Sequence, residues 1–247
     1  METTEVHNLG SALWVEALKA RRSRMPMFTA LGFSLAPLAG GFFMIILRDP
    51  AMARRIGLIS TKAQIVAGTA DWPTYLGLLA QATAIGGFIL FSFIISWVFG
   101  REFSDRTAKD LLALPTPRAI IVLAKFVVTG AWAAALVASI CFLGLVVAQA
   151  VALTPAPPVI IAQGIATVAV TAALTIAVAM PIAFFASAGR GYLPAMGAAL
   201  LAVILAQIVA AVGWGDYFPW AIPALYARTA GPSYASLGAA SYAITIA

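Results

Sequence analysis

The densest group of ionisable residues in this chain lies between residues 101 and 118, where seven charges occur in eighteen residues. They are Arg101, Glu102, Asp105, Arg106, Lys109, Asp110 and Arg118. Long apolar runs flank the segment on both sides, and burying this many charges without partners is very costly. The segment must therefore lie in water, and what it binds there bears most directly on function.

The same segment predicts a short amphipathic helix. Leu111 and Leu112 form an apolar patch beyond Phe103, while the acidic and basic residues between them form a mixed-sign polar face. Prolines within residues 115–117 end the helix. We expect a helix over residues 101–114 on the cytoplasmic surface, with a plain connector held at the membrane interface as the alternative.

The sequence contains no catalytic constellation. It has no Gly-x-x-x-x-Gly-Lys-Ser/Thr loop for a nucleotide phosphate and no Gly-x-Gly-x-x-Gly fingerprint. The single histidine, His7, and the single cysteine, Cys141, are too few for a His/Cys metal site. We therefore predict a non-enzymatic chain that holds no metal or cofactor of its own.

Composition predicts an all-α integral membrane protein. Hydrophobic residues make up 62% of the chain, charged residues 10%, and the mean hydropathy is +0.98. A crossing needs about 20 apolar residues, and the uncharged runs predict five complete spans and a partial sixth. Their approximate bounds are 26–47, 74–99, 120–150, 158–188, 192–213 and, for the partial span, 235–247. The alternative is a protein of five spans.

The basic residues predict a cytoplasmic amino terminus, because that orientation places ten lysines and arginines inside and five outside. Residues 1–25 then form a cytoplasmic interfacial helix, with Trp14 and the arginines at headgroup level; a polar tail is the alternative. The formal net charge of +6 reflects this orientation, and nucleic acid is not an expected partner.

The predicted spans carry no ionisable residue in their central parts. Lys125 lies near the cytoplasmic edge, where we expect it to snorkel toward water. Ion-coupled carriers usually need buried ionisable groups, so the energy source is expected elsewhere. In the fourth span Gln163, Thr167, Thr171 and Thr175 recur every four residues. This stripe either packs against another helix or lines a substrate pathway.

The charged segment resembles a known pattern. It has Glu102, then Thr107 five residues later, the Leu111–Leu112 pair and a Pro-x-x-Arg ending at Arg118. This is similar to the loop between the second and third spans of permeases in the type-2 ATP-binding-cassette exporter family. Residues 16–23 and 217–223 are similar to that family's entry segment and outer re-entrant region.

The resemblance implies a bundle of six helices forming one half-transporter, and a pathway made by two such halves. The half-transporter would lie in the cell inner (cytoplasmic) membrane, and two separate ATPase subunits, which hold ATP and magnesium, would bind below it. Residues 101–114 would be the coupling helix, with Glu102 anchoring it to the interfacial helix and Leu111 and Leu112 filling an apolar contact. Phe103, Arg106 and Thr107 complete the expected ATPase-coupling residues.

Two other classes stay open on sequence alone, an ion-coupled secondary transporter and a non-transporting membrane scaffold or assembly protein. For an exporter, the polar stripe and its apolar surroundings suit a peptide, a drug or a lipid-like substrate equally. The second permease half can be a copy of this chain or a paralogue.

Overall fold

The computed structural model describes residues 2–49, 69–107, 109, 116–229 and 237–246, and no strand occurs among them. The helices are α1 (Glu2–Arg22), α2 (Met25–Arg48), α3 (Trp72–Ala82), α4 (Phe88–Ser104), α5 (Arg118–Ala150), α6 (Pro158–Ala179), α7 (Ile182–Ala188), α8 (Tyr192–Ala211), α9 (Ile222–Tyr226) and α10 (Ala239–Ile246). A π-helical segment, Thr83–Gly87, joins α3 to α4. The all-α membrane fold is thereby confirmed.

Within the described residues, five helical stretches are long and apolar enough to cross a membrane. They are Met25–Arg48, Trp72–Ser104, Arg118–Ala150, Pro158–Ala188 and Tyr192–Ala211. With 20 to 33 residues each, they extend about 30 to 50 Å, enough for a hydrocarbon core of about 30 Å. Each stretch overlaps one predicted run, and α10 lies within residues 235–247.

Two buried apolar clusters hold the bundle together. One contains Phe91, Ile94, Ile140 and Ile182, contributed by α4, α5 and α7. The other contains Met44, Tyr75, Leu79 and Val168, from α2, α3 and α6.

Small residues let the helices approach closely. The buried residues of α8 are all alanines, Ala195, Ala199 and Ala202, and they pack in the first cluster. A Cβ added at Gly164 of α6 would lie 2.3 Å from Leu76 Cδ1 of α3. Such contacts are typical of helices that pack in membranes.

A tight turn ends α4. Thr107 N–H donates to Glu102 O at 2.9 Å and Arg106 N–H to Phe103 O at 3.3 Å, which is the paired hydrogen-bond pattern of a Schellman motif. Arg106 takes the left-handed position with φ of 60°. Glycine usually occupies this position, because a side chain there costs roughly 1 kcal/mol.

The amphipathic helix predicted over residues 101–114 does not begin at residue 101. Residues 101–104 complete the last turn of α4, and the helix ends in a turn at residues 105–107. The pattern contains no glycine to mark this helix end, which is why the boundary was placed too early. Lys109 has helical backbone, whereas Leu111 and Leu112 lie outside the described residues.

Candidate functional site

Four charged side chains from three helices meet where α4 ends and α5 begins. Lys125 Nζ lies 2.8 Å from Glu102 Oε1 and 3.6 Å from Glu16 Oε2. Lys19 Nζ lies 2.6 Å from Glu16 Oε1 and 3.3 Å from Glu102 Oε1. We call Glu16, Lys19, Glu102 and Lys125 the ion-pair cluster.

Three of the four cluster residues are buried, the Lys19 side chain is 27% exposed, and the formal charges cancel. Lys125 is 3% exposed, and Glu16 and Glu102 are each 6% exposed. Lys125 also donates a hydrogen bond to Val98 O at 2.7 Å, and the Phe99 ring centroid lies 5.7 Å from its Nζ. Charges at such burial are stable in a protein when they are paired and hydrogen-bonded.

This geometry corrects the prediction that Lys125 snorkels toward water. Its side chain points into the bundle, because the carboxylates of Glu16 and Glu102 lie within 3.6 Å of its Nζ. The sequence signal was a single lysine two turns inside a span, together with Glu16 and Lys19 at helical spacing on α1. Sequence reasoning missed the pairing, since no local pattern relates Lys125 to Glu16 or to Glu102.

Each helix places its cluster residue by simple spacing. On α1, Glu16 and Ala20 are both buried and lie one turn apart on the face toward α5. On α4, Glu102 lies in the final turn, one turn after Val98. The cluster therefore ties α1 to both helices that flank the charged connection of residues 105–117.

A second contact constrains the same end of α4. A Cβ added at Gly100 would lie 3.0 Å from the carbonyl carbon of Gly191, in the turn between α7 and α8. Arg190 in that turn has φ of 53°. The turn after the fourth span thus lies against the helix that carries Glu102.

An aromatic contact occupies the neighbouring side of α4. The Arg101 guanidinium lies 4.6 Å from the centre of the Trp97 ring, a cation–π distance. Trp97 in turn packs edge-on against Trp132 of α5 at 6.0 Å. This contact joins α4 and α5 about two turns beyond Lys125 on α5.

The predicted coupling residues differ in their exposure. Glu102 is buried in the ion-pair cluster and Phe103 is half-buried, while Arg106 and Thr107 are exposed in the turn after α4. Leu111 and Leu112 lie outside the described residues. The structure thus brings Glu102 together with α1 and presents Arg106 and Thr107 to solvent.

The polar stripe of α6 divides into an exposed and a buried half. Gln163 is exposed and Thr167 half-buried, whereas Thr171 and Thr175 are fully buried. Thr167 donates to Gln163 O at 2.9 Å and Thr175 to Thr171 O at 2.7 Å. The buried half fits the packing alternative, and the exposed half leaves the pathway alternative open.

A cleft of about 470 Å³ opens between α2 and the π-helical segment. Its walls are mainly apolar, with Phe33, Ile85 and Leu90 among them, and Gln81 and Thr229 supply polar groups. Insertions of the π type often occur at functional sites. The cleft is a further candidate for contact with a partly apolar ligand.

The chemistry of these groups is binding and positioning. In the part of the chain that the structure describes, no group of three His, Cys, Asp or Glu side chains could hold a metal ion. The ion-pair cluster has no unpaired carboxylate among its members. The cluster joins α1, α4 and α5 where α4 and α5 meet the charged connection of residues 105–117.

Comparison with known protein families gives a match that covers most of the chain. A family model described as "ABC-2 family transporter protein" matches residues 12–206, which include all four residues of the ion-pair cluster. No curated protein and no solved structure matches the chain.

Proposed function

Because the chain belongs to the ABC-2 transporter family as a membrane permease, we propose that it forms the transmembrane half of an ATP-driven exporter. ATP hydrolysis takes place in separate ATPase subunits that bind ATP and magnesium. The sequence supports this division, since its 247 residues contain no phosphate-binding loop.

The observation that carries the proposal is the ion-pair cluster. It joins α1 to the end of α4 and the start of α5, the two helices connected by residues 105–117. A displacement of that connection by an ATPase would therefore move α1, α4 and α5 together. Buried ion pairs suit this role, because breaking one partner leaves an uncompensated charge and is strongly disfavoured.

In this mechanism Glu102 is a positioning residue. It fixes the direction in which the chain leaves α4, while the exposed Arg106 and Thr107, with Phe103, Leu111 and Leu112, contact the ATPase. Apolar anchors supply most of the binding energy at such interfaces, and charges set partner and register.

The substrate pathway is proposed to form between two permease halves. Gln163 and Thr167 at the exposed half of the α6 stripe, and Gln81 in the cleft beside α2, are the polar groups available to it. Polar groups in an apolar surrounding suit an amphipathic cargo, such as a peptide, drug or lipid-like molecule. We propose that the protein lies in the cytoplasmic membrane with its amino terminus inside, because this orientation puts most of the basic residues on the cytoplasmic side.

Copurification tests the proposal. The tagged permease, extracted in mild detergent from its native cells, should retain a protein that contains a phosphate-binding loop and hydrolyses ATP. Retention should survive a wash at moderate salt, because the proposed contact is mainly apolar. Recovery of the permease without any ATPase, from cells in which both genes are expressed, would contradict it.

The ion-coupled alternative gains no support from the structure. The buried ionisable residues of the cluster are all paired, with 2.6 to 3.6 Å between charged atoms. A coupling site would need a group that changes its proton or sodium occupancy during transport.

A further inference from the structure

The ion-pair cluster fixes which face of α1 is turned away from the bundle. Glu16 and Ala20 face α5 and are buried. Successive residues of a helix are 100° apart, so Trp14, Leu18 and Arg21 fall on the opposite side. Trp14 is 65% exposed and Arg21 is exposed, in agreement with this placement, while Leu18 between them is half-buried.

Three arginines lie close together where α1 meets the first span. Arg21, Arg22 and Arg24 are all exposed, and among the described residues none of them forms an ion pair. The joint between the helices is short and ordered, since Ser23 Oγ donates to Ala20 O at 2.7 Å and accepts from Met25 N–H at 3.3 Å. The arginines are thereby held within one turn of α2.

The first turn of α2 places this group at a membrane interface. Met27 and Phe28, three and four residues after Arg24, are exposed apolar side chains, and α2 is one of the stretches able to cross a membrane. Arginines one turn from the start of a span lie at the depth of the lipid headgroups. Tryptophan also prefers that depth, and Trp14 lies on the same face of α1.

The surface is cationic throughout. Between residues 9 and 31 the sole acidic residue is Glu16, whose carboxylate faces the ion-pair cluster. Guanidinium groups bind phosphate oxygens through paired hydrogen bonds. The charge and the flanking apolar residues together match an anionic phospholipid better than a soluble acidic protein, which would leave Trp14 and Phe28 in water.

We propose that Trp14, Leu18, Arg21, Arg22 and Arg24, here called the basic face, form a binding site for the headgroups of anionic phospholipids. The lipid phosphates neutralise the arginines while Trp14 and Leu18 enter the headgroup layer. Because Glu16 and Lys19 on the other side of α1 contact Glu102 and Lys125, lipid bound to the basic face holds α1 against the ion-pair cluster. Lipid binding at this site is a property additional to the proposed export function, and it does not require an ATPase.

The test measures lipid binding by the purified full chain in maltoside detergent. Phosphatidylglycerol and phosphatidylcholine with identical acyl chains are added at equal concentrations, and bound lipid is counted by native mass spectrometry. Wild type should bind phosphatidylglycerol in clear preference. Replacing all three arginines, as Arg21→Gln, Arg22→Gln and Arg24→Gln, should lower that affinity on the order of 100-fold, since each basic residue contributes about fivefold.

Two controls keep the result interpretable. Arg228→Gln removes an exposed arginine far from α1 in the chain and should leave the preference for phosphatidylglycerol unchanged. Raising the salt concentration to about 0.5 M should remove the preference in wild type without any substitution, because screening weakens exposed charge pairs. The salt measurement stands even if the triple variant folds poorly.

Three outcomes would overturn the proposal: equal binding of the two lipids by wild type, an unchanged preference in the triple variant, or an unchanged preference at high salt. If the triple variant keeps its lipid preference but no longer retains an ATPase, the basic face is a protein-binding surface instead. The lipid measurement uses the permease alone, so its failure is distinguishable from failure of the proposed export function.

Discussion

Lys125 Nζ and Glu102 Oε1 lie 2.8 Å apart, in a pair that joins the last turn of one span to the second turn of the next. Between them in sequence lies the charged connection of the chain, residues 105–117. The pair thus joins the two helices at either end of that connection, and ion pairs with Glu16 and Lys19 join both helices to α1.

Lys125→Met should destabilise the protein by about 3–5 kcal/mol, because Glu16 and Glu102 are left in an apolar surrounding with Lys19 as their remaining partner. Thermal unfolding in detergent measures the change. Lys109→Met is the matched control, since Lys109 is exposed, and its effect should stay within about 0.5 kcal/mol.

The pairing itself is tested by a double-mutant cycle. Glu102→Gln combined with Lys125→Met should cost clearly less than the sum of the two single changes, because each single change already breaks the same pair. Additive costs would show that the two side chains do not interact. They would also remove the structural basis for a rigid link between α4 and α5.

Gly164→Ala should destabilise the packing of α6 on α3. The new Cβ would lie 2.3 Å from Leu76 Cδ1 and 2.9 Å from its Cβ, so the helices must separate, at a cost of about 1–3 kcal/mol. Gly197→Ala on α8 is the control, since nothing lies within 4 Å of that position, and alanine there should be neutral or stabilising. Equal melting temperatures for the two variants would contradict the close approach of α3 and α6.

Asp71 caps α3 and should make stability depend on pH in the acid range. Its carboxylate accepts a hydrogen bond from Thr74 N–H at 2.9 Å and another from the Thr69 hydroxyl. Burial acts to raise the pKa of Asp71, but the hydrogen bonds from Thr69 and Thr74 outweigh it and lower the pKa below the ordinary value of 3.8.

A lowered pKa means that the ionised carboxylate stabilises the fold above pH 3.8 and that this contribution is lost as pH falls further. Asp71→Asn keeps a capping side chain without the charge, so its melting temperature should lie below that of wild type at pH 6 and approach it near pH 3. Asp71→Ala, which removes the cap, should cost about 1 kcal/mol at pH 6. A constant difference between wild type and Asp71→Asn across this range would exclude a role for the charge.

The orientation of the chain is tested with single cysteines in a Cys141→Ala background. Ser104 and Arg228 are both exposed. If the amino terminus is cytoplasmic, the predicted spans place Ser104 on the cytoplasmic side of the membrane and Arg228 on the outer side. Ser104→Cys should react with an impermeant thiol reagent after cell permeabilisation alone, and Arg228→Cys in intact cells. The reverse pattern would invert the proposed topology.

The spans could be predicted from sequence because long uncharged runs have few alternatives in a membrane. The ion-pair cluster could be predicted in part. Glu102 stood out within the charged segment, whereas the inward direction of Lys125 depends on where α1 packs, which hydropathy does not encode. The end of α4 was missed for a local reason, because Arg106 occupies a left-handed position that a glycine would have marked.

The function of the charged connection is tested by Leu111→Asp combined with Leu112→Asp. If these leucines are the apolar anchors of the ATPase contact, two carboxylates there cannot be buried without partners. The variant should insert and fold, since residues 105–117 lie outside the spans, yet it should lose the copurifying ATPase and transport-stimulated ATP turnover. Lys109→Gln changes a charge in the same connection without touching an anchor and should retain the ATPase. Full retention and turnover in the double aspartate variant would reduce the connection to a plain link between spans, and the coupling role proposed for it would fail.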